Sequence, residues 1–127
     1  MPAAVDWRTK GAVTPVQDQG VCNTCWAFAT TAAMESAYFV AHGVLNKYSE
    51  QMMADCCTGD DCGGRDPGCW HGGCIHCALE WMQTHATVLE SDYPYQESHA
   101  NSTECRRTQY PPQATAKSVT ILNENDI

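Results

Sequence analysis

From Trp26 to His42 the chain runs through Ala, Phe, Met, Tyr and Val with Glu35 as almost its sole charge. A segment apolar on every face predicts a helix buried nearly all round. Thr24 before it suits an N-cap and Gly43 after it suits the left-handed residue that closes a helix. Cys25 therefore stands at the helix N-terminus. A second, short helix starts after Ser49, with Glu50 in its first turn, Met52 and Met53 on its apolar side, and its end near Cys56. Ile75, Leu79 and Met82 recur at helical spacing with Ala78 beside them, which predicts a third, amphipathic helix ending near His85. Upstream of the helices, the stretch from Val13 to Gly20 mixes β-branched residues with Pro and Gly and reads as an extended arm lying on the surface. Between Cys57 and Gly73, five glycines, a proline and several charges form a loop that no apolar core can hold, leaving cysteines as its fasteners. The remainder is irregular until Lys117, where Val119 and Ile121 alternate with polar neighbours and predict a closing strand.

Composition narrows the picture. A chain of 127 residues with 43% apolar content has room for one core, and no apolar run approaches the roughly 18 residues of a membrane span. The net charge of -8 gives polyanion binding no electrostatic footing, so neither nucleic acid nor membrane is an expected partner. Nine cysteines point to disulfides in an oxidising compartment or to metal, and the odd number leaves at least one thiol unpaired. The opening residues Met1 to Trp7 lack a basic leader and an apolar signal stretch, so any targeting or pro-segment is expected to have been removed.

The chemistry concentrates at Gln17-Asp18-Gln19-Gly20-Val21-Cys22-Asn23-Thr24-Cys25-Trp26-Ala27-Phe28. A thiol at a helix N-terminus faces unpaired backbone N–H groups and the positive end of the helix dipole, both of which favour thiolate over thiol. Such a cysteine is primed to attack carbonyls. Gln19, on the adjoining loop, offers an amide donor which with the Cys25 backbone N–H could stabilise a developing oxyanion.

In these residues the chain resembles the papain family of cysteine proteases, along almost its whole length. Val5-Asp6-Trp7-Arg8, Gly11 to Val16, Gln19-Gly20, Cys22, Cys25-Trp26-Ala27-Phe28, Tyr48-Ser49-Glu50-Gln51, Gly72-Gly73 and Tyr93-Pro94-Tyr95 match the family's pattern in order. The resemblance implies an α+β fold of which this chain, 1–127, is the mainly helical left domain: a long central helix, disulfide-tied loops, and about 115–127 as the start of a crossing to a β-rich right domain. It implies Cys25 as the nucleophile of peptide-bond hydrolysis through a thioester and Gln19 as oxyanion donor. Asn23 and Trp26 would line the substrate cleft, Gly72 and Gly73 would pair with an extended peptide, and Cys74 and Ile75 would border the pocket for its second residue. Glycine suits that pairing because no Cβ keeps the strands apart. Expected partners are a peptide or protein substrate, the right domain, a propeptide and cystatin-like inhibitors. The expected setting is lysosomal, vacuolar or secreted, and no cofactor or metal is expected.

The sequence departs from the family's pattern in three places. Asn23-Thr24 stands where the family's signature has glycine beside the nucleophile's subsite, implying slower or more selective cleavage. Gly68-Cys69-Trp70-His71-Gly72-Gly73 is one residue longer than the family's loop, so no preference for the substrate's second residue is inferred. The family's catalytic His and Asn lie about 130 to 150 residues beyond the cysteine, farther than a chain of 127 residues extends past Cys25. The general base is thus expected from the right domain, and this chain alone is expected to be inactive, with an uncovered face favouring weak stability or self-association. His42 and His85 read as surface residues, and His71, His76 and His99 as solvated rather than catalytic.

By the same resemblance Cys22 pairs with Cys69 and Cys56 with Cys105, and the adjacent Cys56-Cys57, as in cathepsin B, pairs Cys57 with Cys62. Cys74 and Cys77 either close locally, as C-x-x-C does at a helix start, or stay as buried free thiols. Two rival readings use the same residues. Cys22, Cys25, Cys69, His71, Cys74 and Cys77 resemble the first six ligands of a RING-type double zinc site, although the final C-x-x-C is missing. A protease-like scaffold or binding protein that no longer cleaves is the other. Asn101-Ser102-Thr103 is a glycosylation sequon on a polar loop.

Overall fold

The computed structural model describes residues 4–64, 69–96 and 104–120. The sequon at Asn101 and the histidine at His99 lie outside them. Three helices carry the fold: α1 (Cys25–His42), α2 (Glu50–Cys56) and α3 (Ile75–Trp81). Among the described residues there is no sheet; an isolated antiparallel bridge joins Tyr48 and Leu89, and none of the helices is long and apolar enough to cross a membrane.

Helix α1 begins and ends where expected. Gly43 takes φ 74°, and its N–H closes on the Phe39 carbonyl at 2.7 Å, a left-handed termination that glycine adopts without Cβ strain. Thr24 occupies the N-cap position, but its side chain makes no capping bond, because its hydroxyl is committed to Tyr95 instead. The burial pattern differs from the expectation. Trp26, Ala27, Thr30, Thr31, Met34 and Glu35 are buried, all in the first two-thirds of the helix, whereas Val40 is 60% exposed. The reason is length: α2 and α3 have seven residues each, about 10 Å of helix, too short to cover both ends of an 18-residue partner.

Helix α2 is capped by Ser49, whose Oγ accepts from the Met52 N–H at 2.9 Å, and Glu50 through Asp55 are all buried. Helix α3 stops at Trp81 rather than His85. Beyond it Gln83 N–H bonds Glu80 and Thr84 N–H bonds Trp81, both three residues back, and the helix unwinds through a turn. Its buried stripe is Ala78, Trp81 and Met82, while Ile75 is 49% exposed. The expected stripe thus holds at Ala78, Met82 and the half-buried Leu79 and fails at Ile75, in whose place Trp81, the larger side chain, enters the core. Trp26, Met34, Tyr48, Met52, Met53, Trp81, Met82, Val88 and Tyr93 form that core.

The irregular segments are tied in by side chains. Glu35, buried on α1, accepts Thr14 Oγ1 at 2.5 Å, the Tyr48 N–H at 2.9 Å and Lys47 Nζ at 3.1 Å. Lys47 also meets the Glu50 carboxylate. One buried carboxylate thus fastens the N-terminal arm, α1 and the entry to α2, a polar network viable inside a core because each oxygen is satisfied. Residues 117–120 are described without strand structure; just before them the chain runs along the core, with Thr87 N–H to the Ala114 carbonyl at 2.8 Å and Ala116 N–H to Met82 at 2.9 Å. Ile121 and Leu122 lie outside the described residues. The disulfides are Cys22–Cys69, Cys56–Cys105, Cys57–Cys62 and Cys74–Cys77, and Cys25 is the one free cysteine.

Candidate active site

Cys25 is exposed, its thiol free, as the first residue of α1. The loop that carries Gln19 is built from short-range bonds. Asp18 Oδ1 accepts the Gly20 N–H at 2.8 Å, and Gln19 Nε2 donates to the Cys22 carbonyl at 2.7 Å. A primary amide has two N–H groups, so that bond orients Gln19 and leaves the second N–H for another acceptor.

Asn23 is stitched to the neighbouring loop. Its N–H reaches the Cys69 carbonyl at 2.7 Å and its Nδ2 the Trp70 carbonyl at 3.0 Å, alongside the Cys22–Cys69 disulfide. A side chain at position 23 is therefore used to hold the cysteine loop against residues 69–70. Trp26 is 2% exposed and lies beneath the cleft floor instead of facing it. A Cβ built on Gly73 would stand 2.3 Å from a Trp26 ring carbon, so glycine is required there by packing from below. Gly72 has nothing within 4 Å of its Cβ direction and is open. Trp70, His71, Gly72, Gly73 and Cys74 line a shallow groove of about 490 Å³ together with residues 62–64. Ile75 is exposed at its edge and Cys74 is half-buried.

Sequence reasoning missed Tyr95 as a positioning residue. Its hydroxyl donates to the Gln19 carbonyl at 2.8 Å and pairs with Thr24 Oγ1 at 2.8 Å, while its ring stands edge-on to Phe28 with centroids 5.0 Å apart. One side chain thereby holds both the Gln19 loop and the residue before Cys25. Tyr95 is in turn fixed by Glu90, whose Oε1 accepts its N–H at 2.8 Å. Burial, reinforced by the nearby Glu50 charge, pushes the Glu90 carboxyl up to about 7, and burial likewise raises Glu50. A run of aromatic residues with Pro94 was visible in the sequence, but contacts spanning more than seventy residues leave no local pattern.

No described histidine bonds Cys25. His76 Nδ1 sits 3.1 Å from Cys74 Sγ, His71 lines the groove, and His42 packs on Tyr38 with centroids 4.3 Å apart. His85 is not a free surface residue: it stacks on Trp81 at 4.1 Å. The zinc-module ligand set is not assembled either, since Cys22 is bonded to Cys69 and Cys74 to Cys77. Of the described residues only Cys74, His76 and Cys77 gather three donor atoms, within 4.8 Å of one another.

The fold and this constellation define a thiol-bearing helical half-domain. Residues 1–126 match the model of the papain family cysteine proteases, and the chain belongs to that family. It is 40% identical to a probable cysteine protease, RD19B, of Arabidopsis thaliana, across 100% of this chain and 36% of that protein. It is also 43% identical to cathepsin L1 of Drosophila melanogaster, across 76% of this chain and 25% of that one. The structure superposes on the Carica candamarcensis cysteine protease CMS1MS2, solved with E-64, at a TM-score of 0.75 and 34% identity, covering 91% of this chain and 49% of that one. The chain thus spans about a third of the curated relatives it matches and half of the solved structure.

Proposed function

We propose that this chain is the nucleophile-bearing half of a cysteine endopeptidase, with Cys25 attacking a peptide carbonyl to form a thioester. The observation that carries the reading is the free, exposed thiol of Cys25 at the start of α1, with a disulfide and Tyr95 fixing the loop on either side. Attack by sulfur moves the carbonyl electrons onto oxygen, and the remaining Gln19 N–H together with the Cys25 backbone N–H are the donors for that charge. Departure of the amine needs a proton donor, and later hydrolysis of the thioester a base. With no histidine bonded to Cys25 among the described residues, both duties fall to a histidine of a second domain, oriented by an asparagine, in the length of the relatives that this chain does not span.

Gly72 and Gly73 offer backbone to an extended substrate, and Asn23, Cys74 and Ile75 border it. A propeptide and cystatin-like inhibitors are partners of the same groove. About 115–127 begins the crossing to the second domain. The open face of α1, where Ala33, Ala37 and Ala41 meet Leu79 and residues 115–120 around a concavity of about 590 Å³, is the surface that domain covers. Four disulfides fit passage through an oxidising compartment toward a lysosomal, vacuolar or secreted destination, a route on which Asn101 is a carbohydrate acceptor.

The test is labelling by an epoxide inhibitor of cysteine proteases on protein extended to the length of the relatives, with peptide mapping. An adduct at Cys25 and turnover of a peptide substrate are expected, and no turnover from the 127 residues alone. An extended protein with neither adduct nor turnover would establish the non-cleaving scaffold instead.

A further inference from the structure

We infer that Cys74–Cys77 is a redox-exchange site rather than a structural staple, opened by low-molecular-weight thiols of the glutathione class and closed by the corresponding disulfides, with His76 assisting. The inference does not depend on Cys25 being a protease nucleophile. Three features together set the bond apart from the other disulfides. Its cysteines are three residues apart, a short ring like that of Cys57–Cys62 at five and unlike the 47 and 49 of the two long-range bridges. Whatever a disulfide adds to a fold, the fold returns to the disulfide, so a ring this small is held closed by the fold far less than a long loop is. Both sulfurs belong to half-buried residues, whereas Cys22, Cys69, Cys57 and Cys62 are each 4% exposed or less.

Exposure alone does not single it out, since Cys105 is also exposed. The third difference does. His76 is exposed, and its ring nitrogens stand 3.1 Å from Cys74 Sγ and 3.6 Å from Cys77 Sγ, while the Cys77 backbone N–H donates to Cys74 Sγ at 3.2 Å. On reduction Cys74 is therefore the better stabilised thiolate, and a better stabilised thiolate is the faster leaving group in exchange.

An external thiolate attacks Cys77 Sγ, forming a mixed disulfide, and the Cys74–Cys77 bond breaks with its electron pair on Cys74 Sγ, facing the Cys77 N–H and the His76 ring. A second external thiolate attacks the external sulfur of the mixed disulfide, releasing Cys77 as thiolate. Two small thiols become one small disulfide, and the protein gains two electrons and the two protons that the thiols lost.

The experiment alkylates Cys25 on unreduced protein, equilibrates it in glutathione buffers of graded ratio, quenches with a maleimide and maps the labelled peptides. Cys74 and Cys77 should both label at a ratio at which the other six cysteines remain closed and the far-ultraviolet dichroism is unchanged. At limiting glutathione the trapped adduct should sit on Cys77. His76→Ala, at an exposed position, should require about tenfold more reduced glutathione at pH 7 to reach half-opening. Simultaneous or earlier opening of Cys56–Cys105 would overturn the proposal. So would an adduct confined to Cys74, or an unchanged midpoint in His76→Ala.

Discussion

The two ends of α1 are built from one run of sequence and meet opposite fates. The first turns, around Cys25, are held from several directions. Gly73 presses on Trp26 from above, the Cys22–Cys69 bridge anchors the preceding loop, and Tyr95 bonds Thr24 and packs edge-on against Phe28. The last turns present Ala37, Val40 and Ala41 to solvent. A precise reactive group needs a rigid setting; the disulfide and the Tyr95 contacts are at the end that bears the thiol, with the Glu35 network farther along the helix. What the difference teaches is that an all-apolar helix does not announce which of its faces its own chain covers.

The sharpest way to break the contrast is to cut the grip at the thiol end. Replacing Cys22 and Cys69 together by serine removes a crosslink spanning 47 residues and is expected to lower stability by about 4 kcal/mol, read from denaturant unfolding. Next comes Gly73→Ala, where the added Cβ meets the Trp26 ring at 2.3 Å. A loss of about 2 to 3 kcal/mol is expected, against less than about 0.5 kcal/mol for Gly72→Ala, and equal losses would contradict the packing role given to Gly73. Tyr95→Phe removes the hydroxyl shared by Gln19 and Thr24 and should cost about 1 to 2 kcal/mol. In an extended, active protein the same change should slow epoxide labelling of Cys25, because Gln19 loses its anchor.

The boundaries of the helices were legible in the sequence at both ends of α1, and the partners and burial of its side chains were not. Glycine at position 43 and serine at position 49 act through their own backbone neighbours, so the helix boundaries at those points could be read locally. Ile75 was misassigned to the core because helical spacing ranks positions without weighing them, and Trp81 buries more apolar surface. Thr24 was a correct N-cap position with the wrong bond, its hydroxyl drawn to Tyr95 across 71 residues. Glu35 stood out only as the one charge in an apolar run; its partners are at positions 14, 47 and 48, and nothing in the spacing connects them. Of the closing strand expected from Lys117, residues 117–120 carry no strand structure, and Ile121 and Leu122 lie outside the described residues.

A smaller effect, conditional on pH, probes how the grip on Gln19 is held through Glu90 and Tyr95. The Glu90 carboxyl, raised by burial to about 7 from an ordinary 4.5, binds its proton more tightly in the folded chain than in the unfolded one. Its stabilising contribution is complete below about 4.5 and is lost as pH rises through 7, and Glu50, raised in the same direction, adds to the trend. Thermal unfolding of the chain should therefore shift downward between pH 4.5 and 8. Glu90→Gln keeps an oxygen for the Tyr95 N–H, so it should match the parent near pH 4.5, exceed it at pH 8 and flatten the profile between. A profile in the variant as steep as in the parent would place the titration elsewhere.

The smallest effect is expected at the other end of α1, and it separates the two ends most directly. Ala37 is exposed and borders the concavity shared with Leu79 and Ala116, so Ala37→Leu adds methyl groups where nothing is displaced. In the 127-residue chain the change should stay within about 0.5 kcal/mol by denaturant unfolding. The same substitution at Ala27, fully buried on the same helix, would crowd the core. If the proposed second domain covers this face, Ala37→Leu in the extended protein becomes an overpacking substitution costing about 1 to 3 kcal/mol. An equally small effect in both lengths would mean that the face stays uncovered and that the bare end of α1 is solvent surface in its own right.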